Sequence, residues 1–139
     1  APENEEIYKS VSAANGIERR DISDEEIIDR CILALVNEGA DIIEEGVGQR
    51  AADLDVVYIN GYGFPIWRGG PMHHANAMGM GQVLNKLNKY YELTKSDTFK
   101  PASLIKKLAE IDGKFGDAPA KEDRKEKLSF SESSVAGNL

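Results

Sequence analysis

The stretch Gly61-Tyr62-Gly63-Phe64-Pro65-Ile66-Trp67-Arg68-Gly69-Gly70-Pro71-Met72 decides how this chain folds. Glycine and proline both oppose a helix interior, where they cost about 1 and about 3 kcal/mol relative to alanine. The stretch is not a flexible linker either, because such linkers contain few aromatic residues. The composition predicts a rigid, non-repetitive corner between helices. We expect Gly61 or Gly63 to take positive φ, the prolines to fix φ, and the rings of Phe64 and Trp67 to be buried.

A phosphate-binding loop is the functional alternative for this corner. A dinucleotide-binding turn has the pattern G-x-G-x-x-G between a strand and a helix. Here Ile66 stands at the third glycine position and Pro65 interrupts the turn. A P-loop ends in Gly-Lys-Ser/Thr, and the stretch has no such ending. The sequence therefore favours a structural corner over a nucleotide site.

Length and charge indicate a single domain that binds neither nucleic acid nor a membrane. A chain of 139 residues with 41% hydrophobic content can bury one core. The net charge of −7 argues against nucleic acid and anionic lipid as partners. No apolar run approaches the roughly 18 residues of a membrane span. Because the sequence begins without an initiator methionine, we expect a processed or excised fragment.

The lone cysteine also limits the possible environments. One cysteine cannot form an internal disulfide, which fits a reducing compartment. Cys31 lies in an apolar helical pattern, so we expect a buried structural thiol rather than a nucleophile.

Residues 23–45 give the clearest helical pattern. Ser23 followed by Glu26 predicts a capping box, and Ile22 with Ile27 predicts a hydrophobic staple. Gly46 is the expected helix stop. The predicted buried stripe comprises Ile28, Cys31, Ile32, Leu35, Val36, Gly39, Ile42 and Ile43. Gly39 on that stripe predicts close approach of a second backbone.

The remaining segments also favour helices, so the predicted fold is all-α. Residues 51–60 have strand propensity at Val56-Val57-Tyr58-Ile59, but a lone strand cannot pair, and Asp53 can cap a short helix. Pro71 is expected to begin a helix that ends at Met78. Further helices are predicted over 81–94 and from Lys100-Pro101 to Gly113, the latter with the stripe Leu104, Ile105, Leu108 and Ile111. The expected organisation is a short helix and arm over 1–22, a helical domain over 23–115 and a polar tail over 116–139.

Residues that could carry chemistry are few. His73 and His74 are adjacent, and neighbouring helical residues point about 100° apart, so we expect surface or interface histidines rather than metal ligands. Asp53 and Asp55 are interpreted as capping or solvated residues. Arg68 is a lone cation among aromatic residues; stacking on a ring is favoured over binding a carboxylate or carbonyl ligand.

Several motifs resemble the last domain of the type 1 multifunctional enzymes of fatty-acid β-oxidation, which join an enoyl-CoA hydratase to a 3-hydroxyacyl-CoA dehydrogenase. The resemblance covers roughly residues 17–112. The motifs are Ile17-Glu18-Arg19-Arg20, Asn37-Glu38-Gly39-Ala40, Glu44-Glu45-Gly46, Asp53-Leu54-Asp55-Val56-Val57-Tyr58, Gly61-Tyr62-Gly63-Phe64-Pro65 and Arg68-Gly69-Gly70-Pro71-Met72.

The resemblance implies a helical domain similar to the C-terminal domain of 6-phosphogluconate dehydrogenase. It would be the second of two helical copies, packed on the dehydrogenase and hydratase domains of the same chain. The family's catalytic histidine, glutamate and asparagine lie in segments that this sequence lacks. The resemblance thus implies no catalytic, cofactor-binding or metal-binding residue here, while NAD and the CoA thioester substrate bind elsewhere in the parent enzyme. The structural or domain-interface candidates are Asn37, Glu38, Gly39, Gly61, Gly63, Pro65, Trp67, Arg68, Gly70 and Pro71.

The resemblance leaves the compartment and the assembly open. Peroxisomal members end in a Ser-Lys-Leu type signal, from which Gly137-Asn138-Leu139 departs at two positions. Both the peroxisomal matrix and a bacterial cytoplasm are therefore expected locations. Separated from its partner domains, the chain is expected to form a weak homodimer or to expose an apolar patch beside the long helix. The alternative is a free-standing helical interaction module, which the sequence upstream of residue 1 would distinguish.

Overall fold

The computed structural model of the chain describes residues 2–117, and every regular element among them is helical. The α-helices are α1 (Pro2–Ala14), α2 (Asp24–Glu44), α3 (Ala51–Gly61), α4 (Pro71–Met78), α5 (Met80–Thr94) and α6 (Ser103–Glu110). Three-residue 3-10 helices cover Ile66–Arg68, Asp97–Phe99 and Phe115–Asp117. The all-α prediction is confirmed. The predicted tail lies outside the described residues from 118 onward.

The start of α2 follows the predicted capping pattern in part. Ser23 Oγ accepts a hydrogen bond from the backbone N–H of Glu26 at 3.2 Å, as expected of an N-cap. The Glu26 carboxylate accepts hydrogen bonds from Arg20, with one Oε2–Nη1 distance of 2.8 Å, and this ion pair replaces the return bond of a capping box. Ile22 and Ile27, predicted as a staple, both remain about half exposed. The helix ends before Gly46, which takes a positive φ of 79°.

The core lies between α2 and the pair α5 and α6, with α4 closing one side. Its fully buried members include Leu33, Val36, Ala40, Met72, Val83, Leu87, Tyr90 and Ile105. On α2 these residues recur at spacings of three and four, which places them on one face. The core therefore depends on α2 as its central helix.

The predicted stripe of α2 is rotated by about a quarter turn from the face that is buried, and it omits the buried Leu33 and Ala40. Leu33 and Ala40 face the core, whereas Cys31 is exposed, and Leu35 and Ile42 are half-buried. At 3.6 residues per turn, Cys31, Leu35 and Ile42 lie on the side of the helix opposite Leu33. The prediction of a buried thiol at Cys31 is wrong because apolar residues occupy both sides of this helix.

Most other helix predictions are confirmed, with shifted ends. Residues 51–61 are helical; Arg50 is the N-cap residue, and Asp53 pairs with it at 2.7 Å from within the first turn. The helix predicted from Pro71 to Met78 has those bounds. The last helix begins at Ser103 rather than at Lys100-Pro101. Ile111, predicted in its stripe, lies beyond the helix end and is exposed.

Candidate functional site: the glycine-rich corner

The carboxylate of Asp55 on α3 holds the beginning of α4. Asp55 Oδ1 accepts from the backbone N–H of Met72 at 2.7 Å, and Oδ2 accepts from that of His73 at 3.1 Å. These N–H groups lack partners within the helix, and the N-cap residue Gly70 has no side chain to offer them. The residue is only 8% exposed. Asp55 is thus a buried cap supplied by another helix, an arrangement that the capping or solvated interpretation from sequence did not specify.

Burial and hydrogen bonding act on Asp55 in opposite directions. Burial raises the pKa of the Asp55 carboxyl above its ordinary value, because removal from water disfavours the charged form. The N–H groups of Met72 and His73 lower the pKa by a smaller amount. The positive end of the helix dipole also favours a negative charge at this position.

The adjacent glycines make room for this contact. Gly70 has φ of 100°, and a Cβ there would lie 2.3 Å from Asp55 Oδ1. Gly69 has φ of 75°, and a Cβ there would lie 2.5 Å from the His73 ring. Both positions favour glycine through their positive φ, and at Gly70 the buried Asp55 carboxyl also leaves no space for a Cβ. Pro71 follows at the first helical position, where its missing N–H removes no hydrogen bond.

The two earlier glycines of the corner differ in role. Gly63 takes φ of 69° with nothing within 4 Å of an added Cβ, so only its conformation favours glycine. This confirms the predicted positive φ at Gly61 or Gly63. The turn lets the N–H of Phe64 donate to the Tyr58 carbonyl at 3.0 Å. Gly61 ends α3 in ordinary helical geometry with open space around it, and nothing in the structure explains a glycine there.

The aromatic residues of the corner divide into a buried anchor and an exposed group. Phe64 is buried, as predicted, whereas Trp67 is 77% exposed, so the prediction of a buried Trp67 ring is wrong. Trp67 lies in the short 3-10 helix that follows Pro65, and the core beside α4 is filled by Met72 instead. We call the exposed side chains of Tyr62, Ile66 and Trp67, together with half-buried Arg68, the corner surface.

Arg68 lies against a ring, as the sequence favoured. Its guanidinium carbon is 4.5 Å from the centroid of the Trp67 ring, within the range of a cation–π contact. Tyr62 contacts the Tyr58 ring at a centroid separation of 5.4 Å. Because Trp, Tyr and Arg are the residue types most often found at the energetic centre of protein interfaces, the corner surface has the composition of an interaction site.

The side chain of Asn37 connects α2 to the segment that precedes α6. The Asn37 side-chain amide donates to the carbonyls of Thr98 and Lys100 at 3.1 and 2.9 Å, and its oxygen accepts from the N–H of Ala102 at 2.9 Å. Asn37 is therefore a buried bridge between α2 and the segment leading to α6. Glu38 beside it is exposed and makes no comparable contact among the described residues.

Gly39 is a close-contact position, but its neighbours are side chains. A Cβ on Gly39 would lie 2.6 Å from Met72 Sδ and 3.5 Å from Leu54 Cδ1. The close approach predicted from sequence is thus present, whereas the expected second backbone is replaced by the buried Met72 side chain.

In residues 2–117, no group of three or more His, Cys, Asp or Glu side chains could hold a metal ion. His73 is exposed. Burial lowers the pKa of His74, and the positive charge of Arg68 lowers it further.

An open groove of about 480 Å³ lies between α5 and α6, lined by residues such as Leu84, Asn88 and Lys106. Across the described residues 2–117, no helix is both long and apolar enough to span a membrane.

Known proteins are similar to this chain in sequence. The family model for the 3-hydroxyacyl-CoA dehydrogenase C-terminal domain matches residues 27–122. A peroxisomal bifunctional enzyme of Danio rerio is 43% identical over 104 residues, 74% of this chain. The peroxisomal bifunctional enzyme of Homo sapiens is 42% identical over 107 residues, 76% of this chain. The fatty acid oxidation complex subunit alpha of Acinetobacter baylyi is 33% identical over 108 residues, 78% of this chain. The matches span only 14%, 14% and 15% of these relatives, respectively.

Proposed function

This chain belongs to the 3-hydroxyacyl-CoA dehydrogenase C-terminal domain family, and from that premise we propose that it is a non-catalytic domain of a larger β-oxidation enzyme. The parent activities are NAD-dependent oxidation of 3-hydroxyacyl-CoA and hydration of enoyl-CoA. We propose that the helical domain spans residues 23–115 and is preceded by the short helix and arm of 1–22; the predicted tail of 116–139 lies outside the described residues from 118 onward. Its relatives include peroxisomal and bacterial proteins, and either compartment is compatible with the proposal.

The observation that carries the proposal is the exposed corner surface on a rigid support. Asp55, Gly70 and Phe64 fix the backbone on both sides of Trp67. Large apolar side chains that remain exposed on a fixed backbone are typical of a surface that another domain covers. We propose that the dehydrogenase and hydratase domains of the parent chain cover the corner surface.

Within the corner, the beginning of α4 does not fit a phosphate group of NAD. The beginning of α4 is the place in the corner where a phosphate could accept backbone hydrogen bonds. The Asp55 carboxylate already accepts from Met72 and His73 there, and its burial and negative charge oppose an incoming phosphate. The proposal therefore assigns cofactor and substrate binding to other domains of the parent and no catalytic step to this chain.

A stability comparison in two contexts tests the proposal. Trp67→Asp should leave the melting temperature of the isolated chain nearly unchanged, since the ring is already in water. In the parent enzyme the same substitution should lower the melting temperature by several degrees and weaken dehydrogenase activity. Leu93→Asp, at a half-exposed position on α5 outside the corner, is the matched control. The proposal fails if the parent tolerates Trp67→Asp as well as it tolerates Leu93→Asp.

An activity measurement addresses the non-catalytic assignment. The isolated chain should produce no NADH from 3-hydroxyacyl-CoA and NAD, measured by absorbance. Repurified protein that still produces NADH above a blank would overturn the assignment. A natural gene in which an unrelated domain precedes residue 1 would instead favour the free-standing interaction module.

A further inference from the structure

A second apolar stripe runs along the side of α2 that lies opposite Leu33. Ile28, Cys31, Leu35 and Ile42 recur at a spacing that alternates between three and four residues when Glu38 is included. Ile28 is 45% exposed, Cys31 is exposed, and Leu35 and Ile42 are half-buried. We call these four residues the outer stripe. The inner side of α2 is already occupied by the core, so the outer stripe is a separate surface.

The spacing of the outer stripe specifies the geometry of what can pack on it. Residues repeated every 3.5 positions keep one seam facing a neighbouring helix that lies nearly parallel or antiparallel. Four of the five seam positions here are apolar, and Glu38 occupies the fifth. From Ile28 to Ile42 the seam is about 21 Å long at 1.5 Å per residue. This length corresponds to two heptads, so a helix of three heptads covers the seam with about one turn to spare at each end.

The acidic residues beside the outer stripe favour a partner helix with basic residues. The only basic residue between Asp24 and Glu45 is Arg30. Glu26, Asp29 and Glu44 are paired with Arg20, Lys86 and Lys107. Asp24, Glu38, Asp41 and Glu45 have no cation within salt-bridge distance among residues 2–117. The acidic excess thus lies next to exposed apolar surface and has no counter-charge in the described chain.

Asp41 reports the same imbalance independently. The pKa of its carboxyl is raised by burial and by the negative charges of Glu38 and two further acidic neighbours. A cation placed beside the outer stripe would relieve this repulsion.

The same charges disfavour two obvious occupants. A second copy of the chain would bring the same acidic residues against one another, and the whole chain carries a net charge of −7. Helix α1 also exposes apolar residues, Ile7 and Val11. Its first turns carry Glu5 and Glu6, which would repel the acidic rim of α2.

We propose that the outer stripe of α2 binds an amphipathic protein helix of about three heptads whose apolar seam is flanked by lysine or arginine. The inference goes beyond the proposed function, because it concerns residues of α2 that the proposed function does not use and it holds whether or not the chain is part of an enzyme. Apolar contact along the seam supplies affinity, and the basic flanks select the partner over acidic helices.

Cys31 makes the proposal testable on the chain as it exists. It is the only cysteine in the sequence and lies within the outer stripe. The rate of its alkylation by N-ethylmaleimide therefore measures whether the stripe is covered. Two synthetic probes would be used, both three-heptad helices with leucine at positions a and d. One has lysine at e and g, and the other has glutamate there.

The lysine-flanked peptide, at about ten times its Kd, should slow alkylation of Cys31 about tenfold, because the thiol is then free about a tenth of the time. The glutamate-flanked peptide should leave the rate unchanged, and added salt should reduce the difference between the two. Ile28→Asp should abolish protection, whereas Leu93→Asp on α5 should retain it. Leu35→Asp serves as a second stripe variant, with helicity checked by circular dichroism.

Each alternative result overturns the proposal in a distinct way. Equal protection by both peptides would refute the claim that basic flanks select the partner. No protection by either peptide would refute the claim that the outer stripe binds a helix. Protection that survives both stripe substitutions would locate the peptide elsewhere. If the chain alone protects Cys31 as its concentration rises, the occupant is a second copy. None of these results depends on the parent enzyme, so they do not decide the proposed function.

Discussion

The carboxylate of Asp55 occupies the space that a side chain at Gly70 would need. A Cβ built on Gly70 would lie 2.3 Å from Asp55 Oδ1 and 2.4 Å from Asp55 Cβ. The two residues are fifteen positions apart in sequence. The two capping hydrogen bonds therefore depend on the glycine, because the carboxylate reaches Met72 and His73 only where position 70 has no side chain.

Gly70→Ala should destabilise the chain by roughly 3 kcal/mol, through the unfavourable φ and the collision with buried Asp55. Chemical denaturation measures the change in the free energy of unfolding. Gly81→Ala is the control, since Gly81 lies in α5 with ordinary φ and nothing within 4 Å of an added Cβ. It should be neutral or stabilising by up to about 1 kcal/mol. Equal denaturation midpoints for the two variants would contradict the close contact at Gly70.

Asp55→Asn should cost about 1–2 kcal/mol at neutral pH, because an amide retains only one of the two acceptors. The pH dependence has a definite sign. The folded-state pKa of Asp55 is raised, so its protonation stabilises the folded state as pH falls through that value. The difference in unfolding free energy between wild type and Asp55→Asn should therefore widen between pH about 7 and about 4. A difference that narrows on acidification would mean that the N–H groups outweigh burial and the pKa is lowered.

Asn37→Asp should destabilise the chain by about 3 kcal/mol. Aspartate cannot donate to the carbonyls of Thr98 and Lys100, and it places a charge at a buried position. Glu38→Gln, at the exposed neighbouring position, should change stability by no more than about 0.5 kcal/mol. Thermal melting of both variants makes the comparison. An Asn37→Asp variant with the melting temperature of wild type would refute the bridging role of Asn37.

Gly39→Leu should lower the melting temperature by forcing Met72 and Leu54 apart, at a cost of about 1–3 kcal/mol. Gly39→Ala should cost less, since the nearest atom is the thioether sulfur of a flexible side chain. Met72→Leu in the Gly39→Ala background tests the contact directly by removing the sulfur. No rescue by this second substitution would show that the cost arises elsewhere than at Met72.

The sequence was sufficient for features whose causes are local. The bounds of α4 follow from Pro71 and Gly79, and the N-cap at Ser23 follows from one hydroxyl and the next turn. Asp55 could not be assigned its role, because its partners lie seventeen and eighteen residues away and no local pattern marks a cap supplied by another helix.

Trp67 and Cys31 were misassigned for one physical reason. Hydrophobicity predicts that a side chain leaves water, but it does not state whether the covering surface belongs to the same domain or to a partner. The core beside α4 is filled by Met72, and the inner side of α2 is filled by Leu33 and its neighbours. A signal was available at α2, since its apolar residues covered more of the helix than one packed face requires.

The cap that Asp55 provides makes α4 dependent on α3 during folding. Eight residues are too few for a helix to persist alone in water, and Gly70 offers α4 no cap of its own. The two helices should therefore form and unfold as one cooperative unit. In native-state hydrogen exchange, the amide protons of Met72 and His73 should exchange only when α3 also detaches, although His73 itself lies on the surface.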